Sequence, residues 1–355
     1  MDVNMKNKRE ERKHEHITHA VGLEEGPLCA GWEDIHLVHQ ALLQDDFAEI
    51  ETGITLFGKR IAQPLIINAL TGGAAGLEKI NGALARVAKE TGIGLAVGSQ
   101  SAGINNREFR HTYGIVRKIN PDGLILANIS ALVNPKEALE AVKMVDADIL
   151  QLHMNGAQEL LMAEGDRNFG PMADNIKRIV EEVPVPCLVK EVGFGISRET
   201  AERLYKLGIR NLDISGAGGT NFAAIELARY PHKGALDYMR YWGITSACSL
   251  LEVKSLNLPF TIVASGGIYN PLDILKALSL GADVAAIAGY FLKILVQKGE
   301  DDLLLRVKSF QNELKMLMMM LGAKKISDIS YVPRVISGFT HSWCEQRGIK
   351  LIKDV

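Results

Sequence analysis

The chain has 355 residues, of which 47% are hydrophobic and 23% are charged, and this is the composition of a globular α/β protein. A net charge of −2 excludes general electrostatic attraction to nucleic acid, and no apolar run is long enough to span a bilayer. The charged N-terminus lacks an apolar signal region, so we expect a cytoplasmic protein without nucleic-acid or membrane partners.

The first 19 residues are polar, mixed in charge and rich in histidine. Composition alone leaves two interpretations open. The segment is either a disordered arm or a helix that projects Arg12 and His16 from one face, at i and i+4, with Lys13 beside them. Such a face could bind a phosphate group.

From residue 61 to 325, short apolar strands alternate with segments of helical period. Repeated βα units predict a parallel sheet, and eight of them favour closure into a (β/α)8 TIM barrel. Residues 1–60 are predicted to form an arm and a barrel cover, with a short strand or hairpin at 49–57. Residues 326–355 are predicted to be a tail packed on the barrel, after a helical extension at 301–321. The predicted strands are Leu65–Asn68, Gly94–Gly98, Leu124–Asn128, Ile149–His153, Cys187–Glu191, Asn211–Ser215, Thr261–Ser265 and Val284–Ala288.

Glycines follow the last two predicted strands. Gly266 and Gly267 follow the seventh strand, and Ala288 and Gly289 follow the eighth. Glycine lets backbone N–H groups approach an anion, and a following helix N-terminus adds a favourable dipole. In barrels of this class, these two loops often form a phosphate site. The pattern therefore predicts a phosphate-binding barrel closure.

Polar side chains lie at the C-terminal ends of most predicted strands. These ends converge on one face of a barrel, so the pattern predicts a single ligand site. The residues concerned are Asn68, Thr71, Ser99, Gln100, Asn128, His153, Asn155, Lys190, Ser215, Thr220 and Ser265.

Two charged residues at or after these strand ends, Lys190 and Glu159, indicate what the ligand is. Lys190 is a cation in an apolar strand, which predicts a neighbouring anion or an electron-rich group such as a reduced flavin. A Schiff-base lysine is an open alternative. Glu159 follows two amides, a combination that suits Mg²⁺, although a solvated carboxylate in a first helical turn would look the same. The four cysteines show no metal-binding spacing and are expected to be reduced thiols.

Several motifs together resemble the type 2 isopentenyl-diphosphate isomerases, which are FMN-dependent (β/α)8 barrels. The resemblance implies interconversion of isopentenyl and dimethylallyl diphosphate with reduced FMN and Mg²⁺ and no net redox change, with NADPH as the expected reductant. It spans nearly the whole chain. The motifs are ERKHEHITHA, NALTGGAAG, VGSQ, LQLHMNGAQE, EGDRNF, LVKEVGFGIS, DISGAGGTNF, ASGGI and IAGYFLK.

The resemblance also implies roles for particular residues. Arg12, Lys13 and His16 would hold the diphosphate. His153, Asn155 and Gln158 would line the substrate pocket, with His153, Gln158 and Lys190 as catalytic residues, and Glu159 would bind Mg²⁺. The FMN residues would be Ala69, Leu70, Thr71, Ser99, Asn128, Lys190, Ser215, Thr220, Gly266, Gly267, Ala288 and Gly289.

The sequence departs from the family pattern at two positions. Leu70 stands where many members have methionine, and Ser101 stands where many have arginine. One diphosphate contact is therefore missing or comes from another residue, such as Arg107 or Arg110.

Two other functions fit part of this pattern. One is an FMN-dependent 2-hydroxy-acid oxidoreductase on the same barrel, and the other is a non-catalytic flavin- or phosphate-binding protein. The apolar helix around residues 318–320 makes self-association plausible, and we expect a homo-oligomer, a tetramer or octamer.

Overall fold

The computed structural model describes residues 15–23, 26–69 and 71–351 of the chain. Within these residues, eight parallel strands close into a barrel, and each predicted strand is present with ends that differ by two residues or fewer. The predicted (β/α)8 fold is confirmed. The barrel strands are β1 (Leu65–Ile67), β2 (Gly94–Ala96), β3 (Ile125–Ser130), β4 (Ile149–Met154), β5 (Cys187–Glu191), β6 (Asn211–Asp213), β7 (Thr261–Ser265) and β8 (Val284–Ile287).

The barrel closes where β8 pairs with β1, with Ala286 opposite Ile66. Parallel strands that are covered on both faces read as continuous apolar runs, which is the pattern of the predicted strands. Alternate side chains point inward and fill the barrel as one buried cluster. That cluster includes Ile66, Ala96, Leu126, Leu188, Val263 and Ala286.

A β-hairpin covers the end of the barrel at which the strands begin. Ile54–Leu56 pairs antiparallel with Lys59–Ile61. Leu56 and Ile61 are buried in the same cluster as Ile149, the first residue of β4. A short strand or hairpin was predicted at 49–57, and the observed hairpin spans residues 54–61, so only its first strand lies within the predicted range. The hairpin closes the barrel with apolar side chains.

Helices follow the strands and pack around the barrel. The helix after β1 buries Leu84, Val87 and Ala88 and ends at Gly92, whose φ of 64° lies in the left-handed region. Residues 15–22 are also helical. The other described α-helices are Leu77–Thr91, Ser101–Asn105, Arg110–Ile119, Pro135–Val145, Gly156–Leu161, Met172–Glu182, Arg198–Lys206, Phe222–Arg229, Ser246–Lys254, Pro271–Ser279, Gly289–Lys298, Glu300–Met320 and Gly338–Arg347. Short 3-10 segments are Trp32–Asp34, Phe47–Glu49, Arg107–Phe109, Pro231–Tyr241 and Ile326–Tyr331.

The two ends of the described chain pack against each other. Ile35–Leu37 pairs antiparallel with Arg334–Ile336. In the helix Glu300–Met320, Met318 is fully buried, while Met316 and Met320 are about half exposed. The methionines therefore contribute partly to the core, and self-association stays a prediction. Among the described helices, none has both the length and the apolar character needed to cross a bilayer.

Candidate active site

A cleft of about 520 Å³, its solvent-facing mouth included, opens where the strands end. Backbone from the loops after β6, β7 and β8 forms much of its wall. Gly267 has a φ of 66°, and a Cβ there would lie 2.4 Å from the Ala30 Cβ and 2.6 Å from the Gly218 carbonyl oxygen. A Cβ on Gly219 would lie 2.5 Å from the Gly267 nitrogen. Only glycine allows these loops to approach so closely.

Side chains behind the cleft hold the loop after β7 in place. The Gly266 carbonyl oxygen accepts hydrogen bonds from Trp32 Nε1 (3.1 Å) and from Ser246 Oγ (2.8 Å). The helix Gly289–Lys298 begins at the cleft wall and directs its positive end toward the space. Rigid glycine backbone and a helix N-terminus together make this wall suitable for a phosphate group.

The predicted FMN residues fall into three sets. Thr71, Ser99 and Asn128 are not among the residues that line the cleft, and Leu70 lies outside the described residues. Thr71 Oγ1 donates to Asn81 Oδ1 at 2.6 Å. The residues that do line the cleft are Ala69, Lys190, Ser215, Thr220, Gly266, Gly267, Ala288 and Gly289.

Lys190 lies on the cleft floor and is 6% exposed. Its Nζ donates to the Glu191 carbonyl oxygen at 2.6 Å and to Ser215 Oγ at 3.0 Å. Asp213 Oδ2 lies 3.9 Å from Nζ, in a fully buried side chain. From the sequence, we expected the anion beside Lys190 to belong to a ligand. The structure shows that Asp213 of the protein itself is such an anion.

A second polar group extends from β3 and β4. His153 Nδ1 lies 2.9 Å from Asn128 Oδ1. Asn155 Nδ2 donates to Glu159 Oε1 at 2.8 Å, and the backbone nitrogen of Asp166 donates to Glu159 Oε2 at 2.8 Å. Glu159 therefore sits in a fixed orientation in the first turn of its helix, half-buried beside an amide.

Glu226 connects this group to the N-terminal helix. Gln158 Nε2 donates to Glu226 Oε1 at 2.9 Å, and His16 Nε2 lies 2.9 Å from the same oxygen. Arg229 donates to Glu226 Oε2 at 2.6 Å. Burial by itself would raise the pKa of Glu226, but hydrogen bonds from His16, Gln158 and Arg229 and the charge of His16 bring that pKa below its ordinary value.

Arg229 extends the connection to other segments. Its Nε donates to Glu15 at 2.7 Å, and its Nη2 donates to Glu164 at 2.9 Å. His16 is thereby held at the C-terminal face of the barrel, beside Gln158. Arg12 and Lys13, the other predicted diphosphate residues, lie outside the described residues.

Arg110 is one of the two residues expected to replace the arginine that many family members have at position 101. Its guanidinium is already held by other contacts. Arg110 Nη2 donates to Glu140 at 2.7 Å, and its Nε donates to the Gly103 carbonyl oxygen at 3.0 Å. Both contacts hold the guanidinium against neighbouring helices. Arg107 is exposed, and Ser101 Oγ lies 3.2 Å from Ser99 Oγ.

A protein-family model described as FMN-dependent dehydrogenase matches residues 102–333. A protein named isopentenyl-diphosphate delta-isomerase from Moorella thermoacetica is 50% identical over 317 residues, covering 89% of this chain and 91% of the relative. One of the same name from Symbiobacterium thermophilum is 43% identical over 353 residues, covering 97% of each chain. This chain belongs to the isopentenyl-diphosphate delta-isomerase family.

Solved structures of mandelate oxidase show the same fold as this member of the isomerase family. One mutant with an FMN adduct has a TM-score of 0.65 at 15% identity, covering 90% of this chain and 96% of the oxidase. Another, with (S)-mandelic acid, has a TM-score of 0.66 at 13% identity, covering 94% and 98%. At such low identity the likeness concerns the barrel alone.

Sequence reasoning missed Asp213 and Glu226 in this isomerase-family site. Asp213 could have been found from strand alternation, because it lies two residues before Ser215 and so faces the same side of β6. Glu226 had no comparable signal. It lies within a helix, and its importance comes from contacts with His16 and Gln158, which are 210 and 68 residues away in the chain.

Proposed function

We propose that this protein interconverts isopentenyl and dimethylallyl diphosphate, using reduced FMN and Mg²⁺ with no net redox change. The observation that carries the proposal is the contact of His16 with Glu226, which also binds Gln158. It supports a diphosphate-binding N-terminal segment next to the cleft. The names of relatives 41–50% identical over most of the chain support the same reaction.

FMN would bind in the cleft. Its phosphate would lie against the backbone of Gly266, Gly267 and Gly289, and its ring would lie on the floor that contains Lys190 and Ser215. The chemistry that reduced FMN supplies, when bound, is an electron-rich face and acid–base exchange. The Lys190 ammonium would balance negative charge on the ring.

Mg²⁺ would bind to Glu159. The described residues hold no group of three or more His, Cys, Asp or Glu side chains that could enclose a metal. A single carboxylate, fixed by Asn155 and by the backbone of Asp166, still suits Mg²⁺. This ion commonly keeps several waters and takes its remaining ligands from substrate phosphates. The metal would therefore arrive with, and orient, the diphosphate.

The remaining polar residues would orient the substrate and exclude water. Moving a double bond requires a proton at one end of the allylic unit and removal of one from the other, so the reacting carbons must be held closely. Glu226 would hold the Gln158 amide and the His16 imidazole in fixed positions, and Asn128 would hold His153. Arg12 and Lys13 would complete the diphosphate contacts.

An anaerobic assay tests the proposal. Purified protein with isopentenyl diphosphate, Mg²⁺ and chemically reduced FMN should form dimethylallyl diphosphate without stoichiometric flavin oxidation. NADPH should replace the chemical reductant. Absence of isomerisation, together with oxidation of a 2-hydroxy acid under air, would instead identify an oxidoreductase. We also propose a cytoplasmic homo-oligomer, a tetramer or octamer, which size-exclusion chromatography with light scattering can test.

A further inference from the structure

We propose that Asp213 is a positioning residue for Lys190. In this role it supplies a buried counter-charge for the lysine and, through Ser215, directs the lysine at the cleft floor. The inference rests on the proposed function only where it concerns bound flavin. The charge pair itself is a property of the protein alone.

The strand register brings the two charges together. Lys190 on β5 is the direct partner of Asp213 on β6. Both side chains point into the barrel, where Lys190 is 6% exposed and Asp213 is fully buried. A buried ammonium requires a compensating charge and hydrogen-bond acceptors, because it has lost its hydration. Among the described residues, Asp213 forms the ion pair of Lys190, at 3.9 Å.

Neighbouring strand ends fix the Asp213 carboxylate. Its Oδ2 accepts from Asn68 Nδ2 at 2.7 Å, and its Oδ1 accepts from Ser265 Oγ at 2.5 Å and from the Ser215 backbone nitrogen at 3.2 Å. These donors come from the ends of β1, β6 and β7. The negative charge is thus compensated and held at one place beneath the cleft.

Ser215 links the carboxylate to the lysine. Its φ of 30° lies in the left-handed region, which is uncommon for a residue other than glycine and persists when surrounding contacts demand it. In this conformation its backbone N–H bonds Asp213 and its Oγ accepts from Lys190. Asp213 therefore sets the direction of the lysine through this turn as well as through charge.

Glu191 is the nearest rival counter-charge. Its Oε2 already accepts from the backbone nitrogens of Val192, Gly193 and Phe194. Burial raises the pKa of Glu191 to about 7, against the opposing effects of those bonds and of Lys190. This carboxyl shapes the loop that follows β5, whereas Asp213 lies opposite Lys190 in the strand register and forms its ion pair at 3.9 Å.

A thermodynamic cycle on the apoprotein tests the pair without any flavin or substrate. Asp213→Asn and Lys190→Met should each lower the melting temperature, because each leaves a buried charge without its partner. The double variant should be more stable than the sum of the single effects predicts. Strictly additive losses would overturn the pairing. Should the Asp213 variants fail to fold, Lys190→Met alone decides, since an unchanged melting temperature would also overturn it.

Flavin electrostatics give the second measurement. Without the Asp213 carboxylate, Lys190 loses its counter-charge and the Ser215 turn loses the acceptor that fixes it, so the lysine is no longer held where it can stabilise negative charge on a reduced ring. In Asp213→Asn, the affinity for reduced FMN relative to oxidised FMN should fall about tenfold, seen as a midpoint potential about 30 mV more negative. An unchanged or more positive potential would mean that Asp213 does not position Lys190, and would refute the proposal.

A matched control and the two substrate outcomes separate this inference from the proposed reaction. Asp148→Asn removes a carboxylate paired with Lys59 and Arg117, both at 2.9 Å, at the opposite end of the barrel. It should lower stability and leave the flavin potential unchanged. If wild-type protein shows the cycle and the potential shift but does not isomerise isopentenyl diphosphate, the proposed function fails and this inference stands. If it isomerises and Asp213→Asn changes neither measurement, only the inference fails.

Discussion

The two ends of the barrel are built from the same eight strands but carry carboxylates of different burial and with different partners. Where the strands begin, Asp148 and Asp283 each accept a backbone N–H from the start of the preceding strand, at Ile125 and Ile262. At the other end, Asp213 and Glu226 are fully buried, and each accepts hydrogen bonds from at least two side chains.

This difference between the two ends indicates what the carboxylates at each end contribute to stability and to function. At the first end, Asp148 and Asp283 accept strand N–H groups, and Asp148 also pairs with Lys59 and Arg117. The apolar hairpin residues Leu56 and Ile61 cover the interior there. Carboxylates at the second end hold other polar side chains in position, which requires burying charge inside the protein. Such burial is costly unless the charge is paired and its oxygens are hydrogen-bonded, as they are at Asp213 and Glu226. Variants at the second end should therefore impair turnover, with a loss of stability where a buried charge loses its partner, whereas variants at the first end should lower stability and leave the turnover of the folded fraction unchanged.

The largest expected effect on turnover is at Lys190. Lys190→Ala should reduce isomerase turnover about 10³-fold and weaken FMN binding, because it removes the cation from the cleft floor. Steady-state kinetics and flavin titration measure both. Lys206→Ala is the control, since Lys206 is 69% exposed and paired with Glu202 on the surface. Normal turnover and flavin content in Lys190→Ala would show that Lys190 has no role in catalysis or in flavin binding.

Glu226 should have the next largest effect. Glu226→Gln should lower turnover about 10²-fold by misplacing Gln158 and His16, with the bound chromophore retained. Glu300→Gln, which removes a surface carboxylate paired with Arg86, is the control. Wild-type kinetics in Glu226→Gln would show that the hydrogen-bonded chain does not position the substrate.

The lowered pKa of Glu226 also predicts a pH dependence. Because the folded-state pKa lies below the ordinary value of 4.5, the contribution of Glu226 to docking of residues 15–22 is fully present above about pH 4.5. It is lost as the pH falls through the lower, folded-state pKa. Protease protection of this helix should follow that curve in wild-type protein and should be weak at every pH in Glu226→Gln. Equal protection in both proteins would contradict a role of Glu226 in docking residues 15–22.

Glu159 should have a smaller effect. Glu159→Gln should raise the Mg²⁺ concentration needed for half-maximal activity about 10- to 100-fold while leaving FMN affinity unchanged. A magnesium titration of activity measures the change, with the exposed Glu182→Gln as control. An unaltered magnesium requirement would show that Glu159 does not bind the metal and is only a carboxylate in the first turn of its helix.

Leu56 should have the smallest effect on turnover. Leu56→Ala removes a buried side chain from the hairpin cover and should lower the free energy of unfolding by about 2–5 kcal/mol. The turnover of the folded fraction should match wild type, because this end of the barrel is remote from the cleft. Denaturant unfolding and steady-state kinetics, both measured on Leu56→Ala and on wild type, provide the test. A large loss of turnover without loss of stability would erase the distinction between the two ends.

Local patterns in the chain were sufficient to predict the barrel. Apolar strands such as Thr261–Ser265, the glycines that follow them and the helical periods between them depend on neighbours within a few residues. The same locality made the glycine loop after Thr261–Ser265 predictable, because Gly266 and Gly267 adopt positive φ directly after that strand. The hairpin cover was predicted from simple alternation.

Contacts between distant segments were decided by the folded arrangement. Register between β5 and β6 makes Asp213 the partner of Lys190, and packing of the N-terminal helix makes Glu226 the partner of His16. Neither pairing follows from spacing, because side chains 23 and 210 residues apart meet only when the barrel closes. Strand and turn preferences depend on neighbours within a few residues in the chain. The partner of a buried charge is instead the group that the complete fold brings within a few ångströms of it.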